Sequence, residues 1–376
     1  MVNLDVIHAS NTTLVKSQPL VAVFFGGTSG IGHYTLRALA TAESQHRGKG
    51  LRAYLVGRKA PAAETIIAEC RTLYPEGEYI FVQAHDLSLL RDVDRVCAEI
   101  LSLEQERERE REREREQGQP SAAPNPRIDY LMLSHGGAPF QPRKDTAEGL
   151  DTTMSLLYYS RMRAITNLLP LLLQSLLPAT IVSVYAAGFE GKLYTDDLSL
   201  RNPKVYSYTQ ARSHMIYMHT WFMEQLAERH RGRLRFVHIF PGLVLGPAFA
   251  NPELPAWFRG FWRWVFVPLL GRWVSVPAKE CGVRMLSLAS PRYPPREGGA
   301  GGASASEGGH HQNNGDVMMG TDGQLGSGVY SLGWKGESNI QLKAYEKFDL
   351  AGMRAKIWEH TIKAFETIER GDVFKD

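Results

Sequence analysis

With 376 residues, 43% of them hydrophobic and 22% charged, the chain has the make-up of a globular protein able to bury one large core or two smaller ones. A formal charge of +3 without a long basic tract excludes an electrostatic case for nucleic acid, and Cys70, Cys97 and Cys281 show neither pairing nor metal-ligand spacing. The opening "MVNLDVIHAS" does not read as a secretion signal, and the longest apolar stretch, "FVPLLGRWVSVP", is too short and interrupted to span a bilayer, so a cytoplasmic protein with no metal site is expected.

Residues 1–18 read as an N-terminal arm. "PLVAVFFGG" (19–27) then reads as a buried strand running into glycines and a helix. Gly26, Gly30 and Gly32 have the spacing G-x-x-x-G-x-G within "GGTSGIG", so Gly27, Thr28, Ser29 and Ile31 complete a turn whose backbone can approach a pyrophosphate at a helix N-terminus. The plainer reading is a glycine turn that only packs tightly. The second strand, 51–57, ends in "YLVGRK", where Arg58 and Lys59 suit a 2′-phosphate better than the ribose hydroxyls of NAD; two solvated charges are the alternative. A third strand (78–84) ends at "AHDLS", which puts Asp86 at the sheet's carboxyl edge, in reach of an adenine amine.

"EQEREREREREREQGQPSAAPNP" (104–126) is of low complexity and reads as a solvated helix extension fraying into a Pro-rich loop, with a partner-binding arm as the alternative. Strands follow at 127–134, 179–186 and 234–240. All are apolar along their length and alternate with helical stretches, which implies a parallel sheet covered on both faces, an α/β fold with a Rossmann-type doubly wound sheet. In "YSYTQARSHMIYM" (206–218), Tyr208 and Arg212 fall at i,i+4 on one helical face, while Tyr206 meets only Gln210.

"AWFRGFWRWVFVPLLGRWVSVP" (256–277) is densely aromatic, with Trp257, Phe258, Phe261, Trp262 and Trp264 punctuated by Arg259 and Arg263. It reads as a lid over a large apolar substrate; peripheral membrane contact through 257–274 and ordinary core packing are the alternatives. A Gly- and Ser-rich stretch, "REGGAGGASASEGGHHQNNGD" (296–316), marks a disordered linker over 293–328, and His310 and His311 within it lack further ligands at useful spacing. A short strand-like piece and an amphipathic helix close the chain over 329–376. Trp358, Ile362 and Phe365 recur there at i, i+4, i+7, so this extension is expected to dock on the main domain.

The glycine pattern, Arg58, Asp86, "LSHGG" with Gly136 after the fourth strand, the Tyr-x-x-x-cation helix and "PGLVLGP" with Pro241 and Val244 together resemble the short-chain dehydrogenase/reductase family over about residues 19 to 292. The flavour is that of fungal tailoring reductases of secondary metabolism. The resemblance implies NADP(H), a carbonyl or alcohol on a bulky apolar small molecule, and a tetrad of Asn, Ser, Tyr and Lys. Leu157 stands at the Asn position, Tyr185 or Ala186 at the Ser position with Ser183 nearby, and Arg212 at the Lys position; Tyr208 keeps its place, with Tyr206 as the other candidate acid. An altered tetrad leaves a second reading open, a cyclase, isomerase or binding protein that retains the fold.

Overall fold

The computed structural model describes residues 2–117, 125–246, 254, 256–297 and 317–376. Seven strands form one parallel sheet in the order β3-β2-β1-β4-β5-β6-β7: β1 Leu20–Phe25, β2 Leu51–Gly57, β3 Glu78–Gln83, β4 Tyr130–Leu133, β5 Ala179–Val184, β6 Leu234–Ile239 and β7 Val329–Leu332. The first six coincide with the apolar runs of the sequence.

Alternation along β1 divides the core. Val21, Val23 and Phe25 face one helical layer, and Leu20, Ala22 and Phe24 the other, since successive side chains of a strand point to opposite faces. The second layer holds α1 Leu4–Ser17, α2 Gly30–His46 and α3 Ala60–Leu73, together with a later helix over 278–286. The first holds α4 Leu90–Glu116, then a helical segment built of α5 Thr152–Met154, a π-turn over Ser155–Tyr159 and α6 Ser160–Leu172, and α7 Tyr208–Arg229. Next come α8 Ala256–Phe261, a π-helical run Trp262–Gly271, α9 Arg272–Val274 and α10 Ala278–Leu286. After β7 the chain adds α11 Leu342–Tyr345 and α12 Leu350–Glu369. α12 lies against the outside of α7, with Trp358 stacked on Phe222 at 4.7 Å between ring centroids. α7 is therefore enclosed by sheet and helix, which is why its apolar residues occupy every face.

Three expectations change. The N-terminal arm is a helix: Asn3 caps it by accepting from the amide of Asp5, and Ile7, Asn11 and Val15 are buried at i, i+4, i+8. The Glu-Arg tract does not start outside the core. Glu104 is fully buried and accepts from Arg52 Nη1 at 3.0 Å and Tyr54 Oη at 2.6 Å, because β2 brings a buried cation to that spot. The tract then continues as α4 to Glu116.

The third change concerns the two ends of 293–328, residues 293–297 and 317–328, the rest of that linker lying outside the described residues. Tyr293 is buried and donates to the carbonyl of Gly336, while Thr321 donates to buried Glu224 at 2.6 Å. β7 then pairs in parallel with β6, Phe236 opposite Val329, as a seventh strand of the main sheet. His310 and His311 lie outside the described residues.

Candidate active site

The glycine turn follows β1 directly. Gly26 has φ +86°, and a Cβ there would come within 2.7 Å of the His135 amide, so only glycine lets β1 and β4 end side by side. A Cβ on Gly32 would fall 2.6 Å from the Gly26 carbonyl, which is how α2 packs tightly behind the turn. Ser29, the N-cap of α2, makes no side-chain capping bond, so the first turn of this 17-residue helix points amides past Gly30 and Ile31 without a protein acceptor from its cap. Thr28 stands against Gly57 at the end of β2, where any Cβ would clash with its hydroxyl.

Arg58 is exposed just beyond, and no acid pairs with it among the described residues. Asp86 is exposed at the end of β3; its Oδ1 accepts from the amide and hydroxyl of Ser88, and its own amide donates to Asp92. Gly136 lies under Leu157, 3.4 Å from where its Cβ would stand. Pro241 follows β6, and Val244 is buried in a bridge with Val276. Together these edges make a cradle that fits the pyrophosphate and adenosine of a dinucleotide.

The next strand ends carry the polar chemistry. Arg161 of α6 is 1% exposed and ties β4 to β5: Nη2 donates to the His135 carbonyl at 2.6 Å, and Nη1 to the Val184 carbonyl at 2.8 Å and Ser183 Oγ at 2.9 Å. Ser183 also meets His219 Nε2 at 3.1 Å and is fully buried, so it faces the interior rather than the cleft. Ser183 and Tyr185 share a face of the strand, and both lie against His219.

Of the two residues offered for the family's Ser position, it is Tyr185 that stands at the strand ends, and its company there was not foreseen. Its ring lies under the Arg161 guanidinium, 5.9 Å from the centroid, and its phenol stands beside that of Tyr208. Tyr185 Oη is buried without a partner at hydrogen-bonding geometry. Its pKa is pushed well up, by burial first and then by the Tyr208 phenol, against the pull of Arg161 and Arg212.

Tyr208 opens α7, where Ser207 caps by accepting from the Gln210 amide. Burial raises the Tyr208 pKa, and the contact with Tyr185 and the charge of Arg212 oppose that rise. Arg212, one turn on, lies 5.1 Å from the Phe189 ring centroid and lines a cleft of about 600 Å³ with Gly188, Lys192, Gln341 and Lys343. Tyr206 goes elsewhere: it donates to Asp151 Oδ2 at 3.1 Å, with a pKa raised by burial and by that carboxylate. The tyrosine at i to the arginine, not its neighbour, thus reaches the strand ends. Leu157 is 7% exposed within the π-turn, where an amide side chain would be needed for the usual Asn role.

A glycine turn at the first strand, with a tyrosine and a cation one helical turn apart after the fifth, belongs to a Rossmann-type α/β protein. The chain belongs to the short-chain dehydrogenase/reductase family. It is 34% identical over 380 residues to a short-chain dehydrogenase/reductase of Stachybotrys chartarum, covering 98% of both chains. It is also 34% identical over 362 residues to an oxidoreductase of Emericella nidulans, covering 96% of this chain and 97% of the relative. No family model matches the chain. Among solved structures, the L-sorbose reductase of Gluconobacter frateurii complexed with NADPH and L-sorbose aligns with a TM-score of 0.50 at 16% identity, over 74% of this chain and 92% of that one, a likeness of fold.

Proposed function

We propose that the protein is an NADP(H)-dependent reductase or dehydrogenase of a carbonyl or alcohol on a bulky apolar metabolite, working in fungal secondary-metabolite biosynthesis. The carrying observation is the unbroken run of contacts along the carboxyl edge of the sheet. Gly26 abuts His135, His135 is held by Arg161, Arg161 covers Tyr185, and Tyr185 stands beside Tyr208 with Arg212 one turn on.

The glycine turn and the α2 amides would hold the pyrophosphate, and Arg58 the 2′-phosphate. When bound, NADPH supplies the hydride. Tyr208, with its raised pKa, stays protonated at neutral pH and gives its phenolic proton to the substrate oxygen. Arg212 stabilises the phenolate left behind, and the Tyr185 hydroxyl beside it takes the place of the family's serine in fixing that oxygen. Arginine does not release a proton, so the phenolate recovers its own from solvent rather than through the cation. The substrate class rests on the fungal origin of the relatives.

Titration of NADPH and NADH against tryptophan fluorescence, with NADPH consumption measured on a panel of apolar ketones, tests this reading. NADPH should bind roughly tenfold or more tightly than NADH, as one charge-assisted contact contributes about 1.5–3 kcal/mol, and Arg58→Glu should erase the preference. Tyr208→Phe should stop hydride transfer and leave NADPH binding intact. Equal affinity for the two nucleotides would sink the cofactor assignment.

The second reading, a non-redox cyclase, isomerase or binding protein, is favoured by Arg212, whose fork lines an open cleft as a carboxylate clamp would. Arg212→Lys separates the two. Activity persists under the redox reading, since lysine restores the family's usual cation, and is lost under the other.

A further inference from the structure

The chain leaves the sheet edge at Val244 and returns at Val276, two buried residues bridged to each other, with the Val276 amide donating to the Leu243 carbonyl at 2.8 Å. The helical excursion between them therefore springs from one narrow base beside the glycine turn. One side of it packs. Trp262 and Phe266 stack at 4.4 Å and are half-buried, and Gly271 is buried where a Cβ would sit 3.3 Å from Leu245. The other side is apolar and open: Trp257 (73% exposed), Phe261, Val265, Leu269 and Trp273 (84%) recur every four residues, with Trp264 (73%) alongside. Nothing among the described residues offers so continuous an exposed apolar face.

Its charge says what covers it. Between Ala256 and Lys279 the chain carries Arg259, Arg263, Arg272 and Lys279 and no carboxylate. The Arg263 guanidinium lies 5.3 Å from the Trp264 ring centroid, so cation and aromatic present one mixed surface. A second copy docking on this face would set cations against cations with no acid to pair them. No described helix is long and apolar enough to cross a bilayer. Tryptophan with arginine on a short helix matches the boundary between acyl chains and anionic headgroups.

We propose that residues 256–274 are an interfacial helix that seats the protein on an anionic phospholipid surface. The apolar face enters the acyl boundary, the arginines meet the phosphates, and the base of the excursion brings the dinucleotide edge of the sheet to the bilayer. This assignment does not depend on whether the site performs redox chemistry.

Flotation of the full-length protein with vesicles of phosphatidylcholine alone, or of phosphatidylcholine with phosphatidylserine, tests it. The protein should float with the anionic vesicles and release as salt is raised. Trp264→Glu with Trp273→Glu should abolish flotation without lowering the melting temperature, both sites being exposed. Arg259→Gln with Arg263→Gln should weaken it roughly tenfold or more. Absence of flotation, or flotation that survives the double tryptophan change, overturns the proposal. So does a dimer in solution that the tryptophan variant dissociates, which would assign the face to a second copy.

Discussion

Arg161 carries its charge into the interior, and no carboxylate pairs with it among the described residues; burial pushes its pKa down to about 9. Its neighbours have accommodated it by staying neutral. Burial holds His135 and His219 well below the ordinary histidine range, and His238 down to about 3, with Arg161 adding to each shift. His238 has neither ring nitrogen hydrogen-bonded and stacks on His219 at 4.7 Å. His214, which accepts from the Tyr194 amide, is down to about 4 through burial.

The sign of the pH effect follows. An unfolded chain takes up protons below about pH 6.5 that these folded sites refuse, so stability is intact above that pH and falls as pH drops towards 4 and 3. Each histidine contributes a slope approaching about 1.4 kcal/mol per pH unit in that window. Thermal melts followed by circular dichroism should fall steeply from about pH 6.5 downward, and His238→Leu should flatten the curve. A melting temperature constant down to about pH 4 would refute the neutral-histidine account. The pairing of Tyr208 with Arg212 was legible because helical spacing alone sets it. Arg161 and Tyr185 were not, because their meeting depends on which strand ends lie side by side.

At the scale of elements, α4 shows how a repetitive stretch can begin inside a core. Val93, Val96, Cys97 and Ile100 face the sheet, and Glu104 extends that face by one turn into a polar knot with Arg52, Tyr54 and the Arg127 amide. Arg107 reaches Glu78, and Arg111 pairs with Glu108 at 2.8 Å. Beyond Arg111 the side chains turn to solvent.

Glu104→Ala would leave Arg52 buried with only Glu78 to meet it, which should cost about 3 kcal/mol in urea denaturation. Glu114→Ala, on the solvated end, should stay within about 0.5 kcal/mol. Equal effects would show that the knot contributes nothing. Composition hides this division, since the alternating charges look alike on both sides of it. The visible signal was Arg52 itself, a cation inside an otherwise apolar strand that had to find an acid somewhere. The opening helix was overlooked for a related reason: Asn11 interrupts its apolar stride, yet it is buried and donates to the Val283 carbonyl at 2.9 Å.

For the molecule as a whole, six strands and their parallel arrangement follow from the alternation of apolar runs with helices, whereas their order is seen only in the structure. The seventh does not follow, because a Gly- and Ser-rich stretch separates it from its partner and no local pattern names that partner. The structure settles it through contacts of high sequence separation. Tyr158 meets Thr361 at 2.7 Å, Tyr159 meets His360 at 2.7 Å, and Asp376 accepts from Ser199 at 3.0 Å. Phe365 and Ile368 of α12 are buried in the layer of α4, α6 and α7, so the extension is an integral part of the core.

That arrangement makes the covalent link between β6 and β7 dispensable in principle. The Met318 amide donates to the Arg292 carbonyl at 2.9 Å, so the two flanks of the intervening stretch are already pinned together by the fold. Fragments 1–297 and 317–376, expressed from separate genes in one cell, should therefore assemble into a soluble heterodimer held by β6–β7 pairing and the α7–α12 contact, losing mainly the effective concentration that the linker supplies. Fragment 1–297 alone should aggregate, with the edge of β6 unpaired and the outer face of α7 bare. If it proved soluble with the melting temperature of the intact chain, the last sixty residues would be ornament. If the pair assembles, the protein is a two-piece assembly that happens to be encoded as one chain.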